Sequence, residues 1–228
     1  MPARLDSRER EASFSFKVAR RFRRVRFPFG NKSELDAEDE EVHAPARQMP
    51  DRLDAISRAT KFSKDEIRYV YRAFKAECPS GVITEPTFKH IFAKFFPLGD
   101  SSQYAHYIFT TLDRSQTGTV TFRDLMAGLS MIMKGTLQER LCWAFSLYDV
   151  NRDGFITRQE MLEVISAIYS LLGDKRDRPR KSTLTHVNSI FQKLDLNNDG
   201  VITIDEFIDY CSKDENIIAS FSVFDDLW

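Results

Sequence analysis

The chain of 228 residues is 42% hydrophobic and 29% charged, with a formal net charge of −1 at pH 7. This size allows one elongated domain or two small lobes with a buried core, and the balanced charge provides no overall field for nucleic acid or an acidic substrate. The three cysteines, Cys78, Cys142 and Cys211, follow no CxxC pattern, so we expect a reducing, cytoplasmic compartment and no disulfide framework.

The first 50 residues differ in composition from the rest. Phe14–Phe29 interleaves aromatic with basic residues, and an acidic run, Glu34–Glu41, follows. We predict a variable, flexible extension over 1–50. Its basic-aromatic part is typical of segments that contact anionic membrane surfaces, and a disordered tail neutralised by its own acidic run is the alternative. We do not expect nucleic acid as a partner, because no recognised binding module is present.

From Ser63 onward, apolar residues recur at helical spacing, and Ser63 with Glu66 predicts a capping box. Four segments then share one pattern, with glycine sixth, a β-branched apolar residue eighth and a large apolar residue thirteenth. These residues are Gly81, Gly118, Gly154 and Gly200, then Ile83, Val120, Ile156 and Ile202, then Phe88, Leu125, Met161 and Phe207. The repeat predicts an all-α fold of four helix-loop-helix units paired into two lobes, with a short two-strand bridge between paired loops.

The repeat also sets the predicted domain boundaries. The N-terminal pair covers 51–134, with degenerate loops 76–87 and 113–124, and the C-terminal pair covers 135–213, with functional loops 149–160 and 195–206. A further C-terminal helix is predicted over 214–228, where apolar residues recur at Ile217, Ile218, Phe221, Phe224 and Leu227. This helix either occupies part of a groove until a partner displaces it or packs permanently on the fourth unit, and the sequence leaves both open.

The third and fourth loops match the EF-hand calcium loop, which places oxygen ligands at positions 1, 3, 5, 7, 9 and 12 around a glycine at position 6. Calcium takes six to eight oxygen ligands, and two matches in register within a repeat are not expected by chance. We therefore predict two Ca²⁺ sites. The ligands are Asp149, Asn151, Asp153, the Phe155 carbonyl and Glu160 in one loop, and Asp195, Asn197, Asp199, the Val201 carbonyl and Glu206 in the other.

The first two loops are weaker. The second begins with Asp113 and closes with Asp124 instead of glutamate; the shorter side chain suits a smaller octahedral ion such as Mg²⁺. An empty site and a weak magnesium-preferring site both remain open there. The first loop has no carboxylate at a ligand position, so we expect it to bind no ion and to complete the lobe.

No enzymatic motif is present. The four histidines form no HExxH pair, and the chain has neither a glycine-rich phosphate loop nor a serine nucleophile elbow. The chain is rich in apolar side chains, with 19 Phe, and a calcium sensor can present such side chains to an amphipathic helix. We therefore expect a binding protein and not an enzyme.

From about Lys61 to Trp228 the chain resembles the neuronal calcium sensors, and within them the Kv-channel-interacting proteins. The motifs that carry this resemblance are "KFSKDEI", "FKAECPSG", "FFPLGD", "YAHYIF", "GLSMIMKGT", "WAFSLYD", "GFITRQEML" and "KDENI". The resemblance implies a cytoplasmic regulatory subunit of Shal-class A-type potassium channels, recruited to the plasma membrane through its partner. It would bind the channel's N-terminal helix in an apolar groove and modulate trafficking and inactivation.

The resemblance also implies which residues line that groove. The matching positions are Phe62, Val70, Phe92, Phe95, Phe122, Leu125, Leu129 and Trp143. Apolar stripes of this kind belong to a lobe core more often than to a groove, and some of these residues can do both. The alternative functions are a calcium-responsive transcriptional regulator, a calcium sensor with a non-channel target and a plain calcium buffer, and homo-oligomerisation remains open.

Overall fold

The computed structural model describes residues 53–97, 99–172 and 180–222. The predicted extension over 1–50 and the end of the predicted C-terminal helix, 223–228, lie outside the described residues. Within the described part, no helix is long and apolar enough to cross a bilayer.

The described chain consists of short helices and four three-residue strands. The helices are α1 (Leu53–Ala59), α2 (Lys64–Glu77), α3 (Glu85–Phe95), α4 (Ser102–Leu112), α5 (Phe122–Lys134), α6 (Leu137–Tyr148), α7 (Arg158–Leu171), α8 (Arg180–Leu194), α9 (Ile204–Cys211) and α10 (Glu215–Ser222). The strands are β1 (Val82–Thr84), β2 (Thr119–Thr121), β3 (Phe155–Thr157) and β4 (Val201–Thr203). The fold is mostly helical, as predicted.

Several helices begin with the same local signal, a capping box. The N-cap hydroxyl accepts a hydrogen bond from the backbone amide three residues later, and the carboxylate at that later position accepts one from the N-cap amide. The N-caps are Ser63, Thr121, Thr136, Thr157 and Thr203. Such a cap contributes about 1 kcal/mol. In the third and fourth loops the capping glutamate is also the twelfth loop residue, so one carboxylate starts the helix and closes the loop.

The strands join the loops in pairs. β1 pairs antiparallel with β2 and β3 with β4, with Ile83 opposite Val120 and Ile156 opposite Ile202. These four side chains are buried, which explains why the repeat requires a β-branched residue at the eighth position. The predicted two-strand bridge is confirmed.

Two helices, α6 and α7, contribute to both hydrophobic cores. From α6, Leu147 lies in one cluster, and Leu141 and Phe145 lie in the other. Val164, Ala167, Ile168 and Leu171 belong to the cluster built mainly from the N-terminal helices. Met161 and Ile165 lie in the second cluster, which is formed by the C-terminal helices. The two predicted lobes therefore share two helices instead of packing as independent units.

The loop before α4 contacts the C-terminal end of α7. The backbone N–H of Asp100 donates to the Ser170 carbonyl at 3.0 Å. A Cβ added to the neighbouring Gly99 would lie 2.1 Å from the Leu171 carbonyl oxygen. This close backbone approach therefore requires glycine.

We expect Gly99→Ala to destabilise the protein by about 1–3 kcal/mol, because the new methyl group must push two backbones apart. Urea unfolding measures this change. The matched control is Gly128→Ala in α5, where the new Cβ would meet the end of the Leu112 side chain, which can rotate, and where alanine improves helix propensity. Equal destabilisation by both substitutions would contradict the close approach at Gly99.

Candidate metal centre

The third loop wraps around the Asp149 carboxylate. Oδ1 accepts a hydrogen bond from the Asp153 amide at 3.1 Å, and Oδ2 accepts one from the Gly154 amide at 3.0 Å. The chain turns this sharply because Arg152 (φ 63°) and Gly154 (φ 88°) are both left-handed. Burial raises the pKa of Asp149, the two backbone hydrogen bonds oppose that change, and repulsion from the carboxylates of Asp153 and Glu160 adds to it.

Glu160 closes the third loop. Its Oε1 accepts from the Asn151 amide at 3.2 Å, and its Oε2 accepts from the amide and the hydroxyl of Thr157 at 2.9 and 2.7 Å. The side chain is buried. The carboxylate at the start of α7 is therefore held across the loop, next to Asn151, the ligand predicted at loop position 3.

The fourth loop repeats this hydrogen-bond pattern. Asp195 accepts from the amides of Asp199 and Gly200, both at 3.1 Å. Glu206 accepts from the Asn197 amide at 3.4 Å and from the Thr203 amide at 2.9 Å. The Thr203 amide and hydroxyl hold the pKa of Glu206 below its usual range, against a smaller effect of burial. The third and fourth loops thus have the same backbone frame, in which two backbone amides bind the first aspartate and the closing glutamate binds the amides of the third and ninth residues.

The donors in these two loops fit a hard divalent cation. Each loop supplies two Asp carboxylates, one Glu carboxylate, one Asn amide oxygen and one peptide carbonyl, all of them oxygen ligands that Ca²⁺ prefers. Within the described ranges, no three His, Cys, Asp or Glu side chains gather into a metal cluster by themselves. The carboxylates are instead held by amides of their own loop, and the set alternates carboxylates with amide and carbonyl oxygens.

The second loop has the same backbone frame but fills it differently. Asp113 accepts from the amides of Thr117 and Gly118 at 3.1 and 2.7 Å. The Thr117 hydroxyl, at the fifth position, lies 3.3 Å from Asp113 Oδ1 and 3.0 Å from the Thr119 carbonyl oxygen. It can donate to either of these oxygens, which belong to the first and seventh residues of the loop, both of them ligand positions in an EF-hand. Asp124 Oδ2 accepts from the amide and hydroxyl of Thr121 at 3.0 and 2.6 Å.

The first loop lacks one of the two left-handed turns. The second, third and fourth loops have a positive φ at the fourth position, at Gln116, Arg152 and Asn198. The first loop has Pro79 there, and the proline ring fixes φ near −65°. The proline at the fourth position is therefore a second sequence signal, beside the missing carboxylates, that separates the first loop from the other three.

The eight predicted groove residues meet around one cluster, the N-terminal hydrophobic core. Phe62, Val70, Phe92 and Phe122 are buried in it. The other four, which are partly buried against it, are Phe95, Leu125, Leu129 and Trp143. The indole N–H of Trp143 is buried and has no hydrogen-bond partner among the described residues. The partner groove itself stays a prediction, and these last four residues are its accessible part.

We expect Thr117→Asp to make the second loop depend on an ion, because it replaces a hydroxyl donor with a third carboxylate. In a Glu160→Gln, Glu206→Gln background, this variant should lose about 1 kcal/mol of stability in chelator and regain it in millimolar Mg²⁺. Thermal unfolding measures both. Thr117→Val, the control, should lose stability without responding to the ion. A stabilisation by Mg²⁺ of the Glu160→Gln, Glu206→Gln protein with Thr117 intact would contradict the view that the Thr117 hydroxyl takes the place of an ion.

Comparison with known protein families gives a match for the C-terminal half of the chain. Residues 138–212 match the model of the EF-hand domain pair. The match runs from the first turn of α6 past the end of α9 and includes both loops in which the carboxylate frame repeats. This part of the chain is therefore an EF-hand pair, and it supports a calcium-binding regulatory protein.

Proposed function

We propose that this protein is a calcium sensor that takes up one Ca²⁺ in the third loop and one in the fourth. The observation that carries this proposal is the same backbone frame around Asp149 and Asp195, each with a loop-closing glutamate. Calcium would supply a double positive charge to a site where burial, with added like-charge repulsion, raises the pKa of Asp149. The ligands would be those predicted from the sequence.

The first two units complete the proposed four-unit EF-hand fold without needing an ion. Pro79 prevents the loop conformation in the first unit. In the second, the Thr117 hydroxyl can donate its one hydrogen to either of two oxygens that an ion would otherwise bind. We therefore favour an empty second loop over a magnesium-preferring one.

The loop-closing glutamate connects the site to the rest of the protein. Glu160 is the third residue of α7 and belongs to the capping box with Thr157. Any change in where its carboxylate is held moves the first turn of α7. Since α7 packs in both hydrophobic clusters, that movement reaches the N-terminal apolar surface.

Calorimetric titration should find two calcium ions per chain. Glu160→Gln and Glu206→Gln should each remove one, because a neutral amide cannot replace a bidentate carboxylate, and the double variant should bind neither tightly. Asp124→Asn in the second loop is the matched control and should leave the count at two. A wild-type chain that takes up no ion at micromolar calcium would end the proposal.

The partner would be an amphipathic helix that covers the accessible part of the N-terminal cluster. Phe95, Leu125, Leu129 and Trp143 offer apolar surface there. The motifs shared with Kv-channel-interacting proteins favour the N-terminal segment of a Shal-type channel. The protein would then act as a cytoplasmic regulatory subunit, recruited to the plasma membrane through that channel.

A Shal-type N-terminal peptide should bind, and Phe95→Ala should weaken binding about 30-fold, the effect of losing about 2 kcal/mol at an interface hot spot. Phe155→Ala is the matched control, because Phe155 is 43% exposed on β3 and lies outside the N-terminal cluster. Fluorescence anisotropy measures both. Absence of wild-type binding rejects the channel partner, and equal effects of the two variants reject this surface.

A further inference from the structure

A further contact between the two halves of the chain lies at the end of α4. Arg152, the fourth residue of the third loop, donates through Nη2 to the carbonyl of Thr110 and, at 3.0 Å, to that of Asp113. The last four carbonyls of a helix have no partner within it, and Thr110 lies in this last turn of α4. A cation there also interacts favourably with the negative end of the helix dipole.

The third loop holds Arg152 in a backbone conformation that arginine does not favour. Its φ is 63°, and the left-handed region costs a side-chain-bearing residue about 1–2 kcal/mol, less for asparagine. The fourth loop has Asn198 at the same position, with φ 58°. The two hydrogen bonds to the end of α4 offset the conformational cost of arginine in the third loop.

Arg152 stands between two predicted ligands. Asn151 and Asp153 are its neighbours, and the side-chain amide of Asn151 donates through Nδ2 to Asp153 Oδ2 at 2.9 Å. The Asp153 backbone amide in turn donates to Asp149. Whatever fixes these ligands therefore also fixes the backbone from which the guanidinium reaches α4.

The contact at Arg152 complements the one at Asp100. Asp100 lies just before α4, where its amide binds the end of α7 and its Oδ1 accepts from the Ser102 amide. Arg152 holds the other end of α4. Both ends of this N-terminal helix are thus tied to the C-terminal half, and its last turn leads directly into the second loop.

We propose that Arg152 transmits the ion-bound state of the third loop to α4 and the second loop. This inference rests on the proposed uptake of calcium by the third loop. An ion that fixes Asn151 and Asp153 keeps the guanidinium on the carbonyls of Thr110 and Asp113. The last turn of α4 then opens less often, and the first residue of the second loop stays in place. Arg152 is in this sense a positioning residue and not a ligand.

The sequence offers a matched set of variants. Arg152→Asn gives the third loop the residue that the fourth loop carries at this position, which tolerates the left-handed backbone and removes the guanidinium. Arg152→Lys keeps the charge but loses the planar fork of donors. Asn198→Arg adds a guanidinium at the same position of the fourth loop and controls for the presence of arginine at a fourth loop position as such.

Amide hydrogen exchange over residues 102–121, compared in chelator and in excess calcium, measures the coupling. In a Glu206→Gln background, where only the third loop loads, calcium should slow exchange in this segment about tenfold, within the usual range of allosteric coupling. Arg152→Asn should remove most of this slowing, Arg152→Lys should reduce it, and Asn198→Arg should leave it unchanged. In a Glu160→Gln background, calcium should have little effect on the segment.

The outcomes separate this inference from the proposed function. If calorimetry shows no ion in the third loop of the wild-type chain, the proposed function fails. If the ion binds and Arg152→Asn keeps the full slowing, the coupling role of Arg152 is wrong while the sensor proposal stands. If Arg152→Asn itself binds no ion, Arg152→Lys decides, and wild-type slowing in that variant overturns the proposal.

Discussion

The structure depends on one constraint: carboxylates that repel one another must be accommodated within a single short loop. Each acidic loop meets it by directing two backbone amides at its first aspartate, as Asp153 and Gly154 do for Asp149. This arrangement requires left-handed residues at the fourth and sixth positions. Burial, with added repulsion from the carboxylates of Asp153 and Glu160, raises the pKa of Asp149. A cation in the third loop would offset both effects, and the helices on either side of the loop begin and end at its ligands.

Helices that belong to both hydrophobic cores connect the acidic loops to the rest of the protein. Glu160 both closes the third loop and starts α7, whose two faces lie in different cores. α4 is bound to the C-terminal half through Asp100 before its first turn and through Arg152 at its last. The third loop is therefore connected to the apolar surface of the N-terminal half in two ways. One is the packing of α7, and the other is the hydrogen bonds that hold α4.

The features predicted correctly from the sequence are the local ones. The sixth-position glycines and eighth-position β-branched residues predicted the turns and the Ile156–Ile202 register, because both requirements act within one loop pair. Gly99 and Arg152 could not be found this way, since their roles depend on which helix ends lie beside them. Core and groove were equally inseparable, because Phe92, which is buried, and Phe95, which is partly exposed, satisfy the same apolar pattern.

The N-terminal loops show that pairing and ion binding fall on different positions of the repeat. Gly81 and Ile83 are retained in the first loop, and Ile83 still pairs with Val120, although Pro79 excludes the ion-binding turn. In the second loop, the Thr117 hydroxyl supplies hydrogen bonds where the other loops carry a carboxylate. A lobe can therefore keep its bridge and core while its ion sites are lost. Packing stabilises the N-terminal apolar surface, whereas the two loops of the EF-hand pair present oxygen ligands that suit a cation. Under the proposed function, this asymmetry would let one half sense calcium and the other hold a partner.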